Sequence, residues 1–89
     1  MNKITLYGSK HCPDCGPVKE YLSDNKVEFI YLDITESMLY LKMFLKHRDH
    51  RPEFEEIRKS GRVGIPCIMI NKEEKFLFEE PGFDLDKLK

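Results

Sequence analysis

Ile4 and Leu6 alternate with Lys3 and Thr5 and run into Gly8 and Ser9, the pattern of a short strand closed by turn formers. Beyond Cys15 the period lengthens. Pro17 suits the first turn of a helix, where its missing N–H costs nothing, and Val18, Tyr21 and Leu22 share one helical face up to Asn25. Val27 to Asp33 (VEFIYLD) is rich in β-branched and aromatic residues, which predicts a second strand beside the first, covered on both faces. Thr35 or Ser37 can cap a helix carrying Leu39, Met43 and Phe44, and Phe54 and Ile57 mark a further helical piece after Pro52 that ends near Gly61. An apolar strand, Cys67 to Ile70, follows Ile65-Pro66, and a turn at Asn71-Lys72-Glu73-Glu74 returns the chain as Lys75 to Glu79, making a hairpin. Pro81-Gly82 interrupts the pattern before Asp84, which can cap a last short helix holding Leu85 and Leu88. The order is β-α-β-α-β-β-α: a right-handed crossover unit joined to a hairpin, hence an α/β chain with one four-stranded mixed sheet and flanking helices. Phe29, Tyr31, Phe44, Phe54, Phe76 and Phe78 all fall in these periodic segments and are expected in the core.

A length of 89 residues, with 40% hydrophobic composition, fits one small domain over residues 1–89; the sequence has no linker, internal repeat or low-complexity tract. The 15 basic residues nearly balance the 16 acidic ones, so no global field points to nucleic acid or an anionic membrane. MNKITLYG lacks a secretory apolar core and no segment is apolar enough to span a bilayer, so a cytoplasmic location is expected, with no membrane or nucleic-acid partner.

Cys12-Pro13-Asp14-Cys15 stands between the first strand and the first helix. In a reducing compartment that setting reads as a dithiol redox motif rather than a structural staple. The helix start offers unsatisfied N–H groups and partial positive charge to the Cys12 sulfur, stabilising the thiolate that attacks a disulfide; Cys15, one turn on and shielded by the helix, is placed to resolve the mixed disulfide. Lys10 and His11 add positive or polarisable groups nearby, while Asp14 opposes the thiolate. A tetrahedral metal site would have to recruit Cys67, His11 or the distant His47 and His50, and no second Cys-x-x-Cys exists, so no metal ligands are assigned. His47-Arg48-Asp49-His50 reads as a solvated helix end, and Cys67 as a small buried hydrophobe.

The Cys12-Pro13-Asp14-Cys15 motif after strand one, together with Lys59-Ser60-Gly61-Arg62-Val63-Gly64-Ile65-Pro66 leading into strand three, resembles glutaredoxins of the thioredoxin-fold superfamily over nearly the whole chain. The resemblance implies a thioredoxin-like fold, a cis Ile65-Pro66 peptide facing the dithiol, and strand-like pairing of the Ile65 backbone with the substrate's cysteine. By the same likeness Lys10, His11 and Pro13 before or within the motif, and Gly82, Phe83 and Asp84 in the last turn, are candidate glutathione contacts. Arg58 and Arg62 could pair with carboxylates. The implied activity is thiol–disulfide oxidoreduction of protein disulfides or glutathionylated thiols by a monomer, with no tightly bound cofactor and glutathione as reductant. Three other readings share the motif: a redoxin recharged by thioredoxin reductase, a module in which Cys12 of two subunits and two glutathiones hold an iron–sulfur cluster, and thiol-based metal ion trafficking.

Overall fold

In the computed structural model, which describes residues 2–89, four strands are laid side by side in the order β2-β1-β3-β4. They are β1 (Ile4–Gly8), β2 (Ile30–Asp33), β3 (Cys67–Ile70) and β4 (Lys75–Leu77). β1 pairs parallel with β2 from Thr5↔Ile30 to Gly8↔Asp33. It pairs antiparallel with β3 from Ile4↔Ile70 to Tyr7↔Cys67, and β3 in turn pairs antiparallel with β4. The parallel pair is bridged by α1 (Cys15–Asp24); α2 (Met38–Arg48), a short 3-10 turn (Pro52–Phe54) and α3 (Glu55–Ser60) connect β2 to β3. No helix among the described residues is long and apolar enough to cross a membrane.

The central strands β1 and β3 divide the core into two layers. On one face Ile4, Leu6, Ile68 and Ile70 pack with Val18 and Leu22 of α1 and with Leu88; on the other Tyr7, Cys67 and Phe76 pack with Phe44, Phe54 and Ile57. This alternation is the period of two that the strand pattern requires. Phe44 and Phe54 are fully buried, and each contributes roughly 1.5–3 kcal/mol by leaving water. Ser37 caps α2 by accepting the Tyr40 N–H at 3.3 Å. Arg58 donates to the carbonyls of Arg48 and Arg51 just past the helix, so it is a structural tie rather than a ligand contact.

Several expectations are corrected. β2 starts at Ile30 because the Val27 N–H is spent on the Leu22 carbonyl, closing the end of α1. It is also a sheet edge: Tyr31 packs on one core layer and Leu32 on the other, each only partly buried, and Ile30 is 45% exposed, so the expected cover of both faces is incomplete. β4 ends at Leu77, and Phe78 leaves the sheet 38% exposed instead of entering the core. The last helix is a single 3-10 turn, Leu85–Leu88, that anchors Leu88. His47 is not solvated: it is buried between the rings of Tyr7 and Phe76, with Nδ1 3.2 Å from Glu73 Oε1.

Candidate active site

The ends of β1, β2 and β4 and the start of β3 meet at one edge of the sheet, and the chemistry-bearing loops collect there. β1 delivers the chain into Ser9–Asp14, and α1 begins at Cys15 with Pro17 in its first turn. Gly8 permits this close approach. A Cβ there would sit 3.0 Å from the Tyr31 ring and 3.2 Å from Cys15 Cβ.

The loop bearing Cys12 is clamped to the end of β2. The buried Asp33 carboxylate accepts the Lys10 N–H at 3.0 Å, the Thr35 N–H at 2.8 Å and the Thr35 hydroxyl at 2.5 Å. Because Thr35 gives its one hydroxyl proton to Asp33, the Ser9 hydroxyl must donate across the 2.9 Å contact to Thr35 Oγ1, and its lone pair receives the His11 N–H at 3.0 Å. The Ser9 carbonyl then accepts the Cys12 N–H at 3.1 Å. Burial pushes the Asp33 carboxyl up, but the hydrogen bonds from Thr35 and Lys10 outweigh it and hold the group below the ordinary carboxylate range.

All three cysteines are free thiols. Cys12 is partly exposed, with Sγ 4.0 Å from the Ile65 carbonyl oxygen, while Cys15 is fully buried behind it. The Cys15 thiol is pushed up to about 12, first by burial and then by its hydrogen bond with Cys12. It stays protonated at neutral pH and cannot begin an exchange. Cys67 sits in the opposite core layer, where burial pushes its thiol up further.

Facing Cys12 is the Gly64-Ile65-Pro66 loop, with a cis Ile65–Pro66 peptide. Gly64 takes a φ of +103°, and a Cβ at that position would press on Ile57 and Phe54, so glycine lets this loop lie flat on α3. Arg48 fixes the loop's approach by donating to the carbonyls of Val63 at 2.8 Å and Arg62. Between the two loops runs a groove of about 810 Å³.

Of the residues proposed from the sequence, His11, Cys12, Ile65 and Pro66 line this groove, Cys15 lies behind Cys12, and Pro13 is exposed at the loop tip. Lys10, Gly82, Phe83 and Asp84 are not among its lining residues. The Lys10 ammonium lies 3.6 Å from Glu36, both exposed. Phe83 turns inward, its ring edge-on to Tyr21 and its carbonyl accepting the Tyr21 hydroxyl at 2.7 Å. Asp84 is occupied in capping the last turn through the Asp86 N–H. In their place the chain leaving β4 supplies Phe78, Glu79, Glu80 and Pro81, and the loop after α3 supplies Val63; beside it Arg62, one of the two arginines offered from the sequence, does line the groove, whereas Arg58 does not. The first group was readable only by continuing the hairpin past its last pair. Asp33 left no sequence signal apart from a polar residue closing a strand, and Thr35, offered with Ser37 as a helix cap, bonds Asp33 and Ser9 while Ser37 caps α2. No group of three or more His, Cys, Asp or Glu side chains able to hold a metal occurs among the described residues.

A family model described as glutaredoxin matches residues 4–75. An uncharacterized protein of Haemophilus influenzae is 32% identical over 89 residues, spanning all of this chain and 96% of that relative.

Proposed function

This chain belongs to the glutaredoxin family, with a thioredoxin-like α/β fold, and from that premise we propose that it reduces disulfides of proteins or of glutathione mixed disulfides through Cys12 and Cys15. The observation that carries the proposal is the asymmetry of the pair: one sulfur reachable in the groove beside the Ile65 carbonyl, the other buried and protonated behind it.

The Cys12 thiolate, at the amino end of α1, attacks a substrate sulfur and expels the partner thiolate, forming a mixed disulfide. That step removes both the charge and the hydrogen bond of Cys12, two of the causes that hold the Cys15 proton in place. Cys15 then deprotonates and attacks the Cys12 sulfur, and the departing substrate thiolate takes a proton. The pair is left oxidised, having delivered two electrons. Ile65 presents its backbone to the substrate cysteine, and Pro66 keeps that backbone turned toward the sulfur. Glutathione is the proposed reductant, in a reducing compartment such as the cytoplasm.

A second reading of the electron supply, recharging by thioredoxin reductase, is favoured by one observation: Gly82, Phe83 and Asp84, the candidate glutathione contacts of the last turn, lie outside the groove. Turnover coupled to glutathione and its reductase, compared with turnover coupled to thioredoxin reductase, separates the two. Cys12→Ser should abolish reduction with either donor, and Cys15→Ser should spare removal of glutathione from a glutathionylated thiol. Full activity without Cys12 would overturn the assignment.

A further inference from the structure

The groove beside Cys12 is built largely from carbon. Ile34, Leu41, Ile57, Val63 and Phe78 contribute to its wall. Val63 is 53% exposed and Phe78 38% exposed, although each is held in place: the Val63 carbonyl is bound by Arg48, and the Phe78 ring packs edge-on to Phe54 at 4.9 Å. Large apolar side chains kept exposed at fixed positions beside a reacting atom mark a surface that a partner covers.

The charges on the rim select among partners. Glu79 is spent on Lys87 at 2.6 Å, whereas Asp14 and Glu80 have no ion pair among the described residues, and the opposing guanidinium is that of Arg62. Glutathione has two carboxylates and a single amine, so it carries net negative charge at neutral pH, and it has no apolar side chain to set against Val63 or Phe78. Its two carboxylates would meet the carboxylates of Asp14 and Glu80 against a single guanidinium, that of Arg62, which has no acidic partner among the described residues, so the lining carries an excess of like charge, and like-charge juxtaposition is a means of rejecting a ligand.

Resting on the redox reading above, we propose that this groove recognises an extended polypeptide whose reacting cysteine is flanked by a bulky apolar residue and a lysine or arginine. The apolar neighbour covers the Val63–Phe78 wall. The cation answers Asp14 and Glu80. Glutathione then serves as a reductant by concentration rather than as the ligand for which the groove is shaped.

The test uses the full chain and three substrates, each a mixed disulfide with 2-mercaptoethanol: a peptide with Leu and Arg beside its cysteine, the same peptide with Ser at both positions, and glutathione. In each case Cys12 attacks the peptide or glutathione sulfur and 2-mercaptoethanol leaves as its thiolate. Cys15 then displaces the peptide or glutathione thiol, and dithiothreitol reduces the resulting Cys12–Cys15 disulfide.

The Leu/Arg peptide should exceed the other two in kcat/KM by roughly 10-fold, the size of discrimination that one apolar pocket contact supports. Val63→Ser, at an exposed position, should shrink that ratio, and Phe78→Ser should do the same where the chain tolerates it. Glu80→Lys should lower the rate for the cationic peptide and raise it for glutathione. Equal rates on all three substrates, or a preference for glutathione in the unmodified chain, would overturn the inference while leaving the redox chemistry intact. No reduction of any of the three would overturn both.

Discussion

The two walls of the reactive groove are built differently. On the Cys12 side the loop is held by backbone N–H groups that converge on the Asp33 carboxylate, the Ser9 hydroxyl and the Ser9 carbonyl, all within 3.1 Å. On the far side Phe78–Pro81 runs free of the sheet, tied by a ring contact to Phe54, by the ion pair of Glu79 with Lys87 and by one local turn bond from the Phe83 N–H to the Glu80 carbonyl, with none to a buried side chain. Backbone hydrogen bonds to a buried carboxylate fix atoms whatever the neighbouring side chains are, whereas side-chain contacts at a rim change with every substitution. The first wall sets where the sulfur sits, and the second is the one that substitution can reshape.

The largest breaking point of that contrast is Asp33. Replacing it with Ala strands the Lys10 and Thr35 N–H groups, and unsatisfied buried donors cost about 1–3 kcal/mol each, so unfolding in urea should show a loss of roughly 2–4 kcal/mol. Asp33→Asn, which keeps an acceptor, should lose less. The same carboxyl gives a signed pH dependence. Its folded value lies below its unfolded value of about 3.9, so its stabilisation is complete above that range and is lost as the pH falls through the folded value. The stability difference between the unmodified chain and Asp33→Asn should therefore be constant from pH 7 to about pH 5 and shrink in more acidic solution. A gap that widened on acidification would contradict the assignment.

Gly8→Ala strikes the same wall from beneath. The added methyl must displace the Tyr31 ring or Cys15, at an overpacking cost of about 1–3 kcal/mol. Because Cys15 is one of the two groups in the way, the mixed-disulfide intermediate should persist longer in a quenched reaction than it does in the unmodified chain. Smallest of all is Lys87→Ala on the far wall. With the ammonium half exposed, the ion pair with Glu79 is worth under about 1 kcal/mol, and the urea midpoint should barely move. A loss from Lys87→Ala as large as that from Asp33→Ala would erase the contrast.

The fold was legible because its elements are set by local period and punctuation. Alternation at Ile4 and Leu6, the helical face of Val18, Tyr21 and Leu22, and the apolar Cys67–Ile70 run all appear where the pattern puts them. VEFIYLD promised fuller cover than β2 has, because an apolar run does not show that a strand will lie at the margin of the sheet, where Ile30 stays 45% exposed. His47 misled for a related reason. The charges of Arg48 and Asp49 suggested a solvated end, but helical rotation turns residue 47 alone toward Tyr7 and Phe76.

The Cys12-Pro13-Asp14-Cys15 spacing and its position between a strand and a helix determined that the two thiols lie side by side, because a short loop cannot separate two thiols three residues apart once the helix begins at the second. The groove beside them was decided by tertiary structure. Thr35, Val63 and Phe78 lie far apart along the chain and come together only because the ends of β2 and β4 and the start of β3 meet at one end of the sheet. The last turn, which likeness put forward as a binding element, was removed from the groove by the packing of Phe83 against Tyr21.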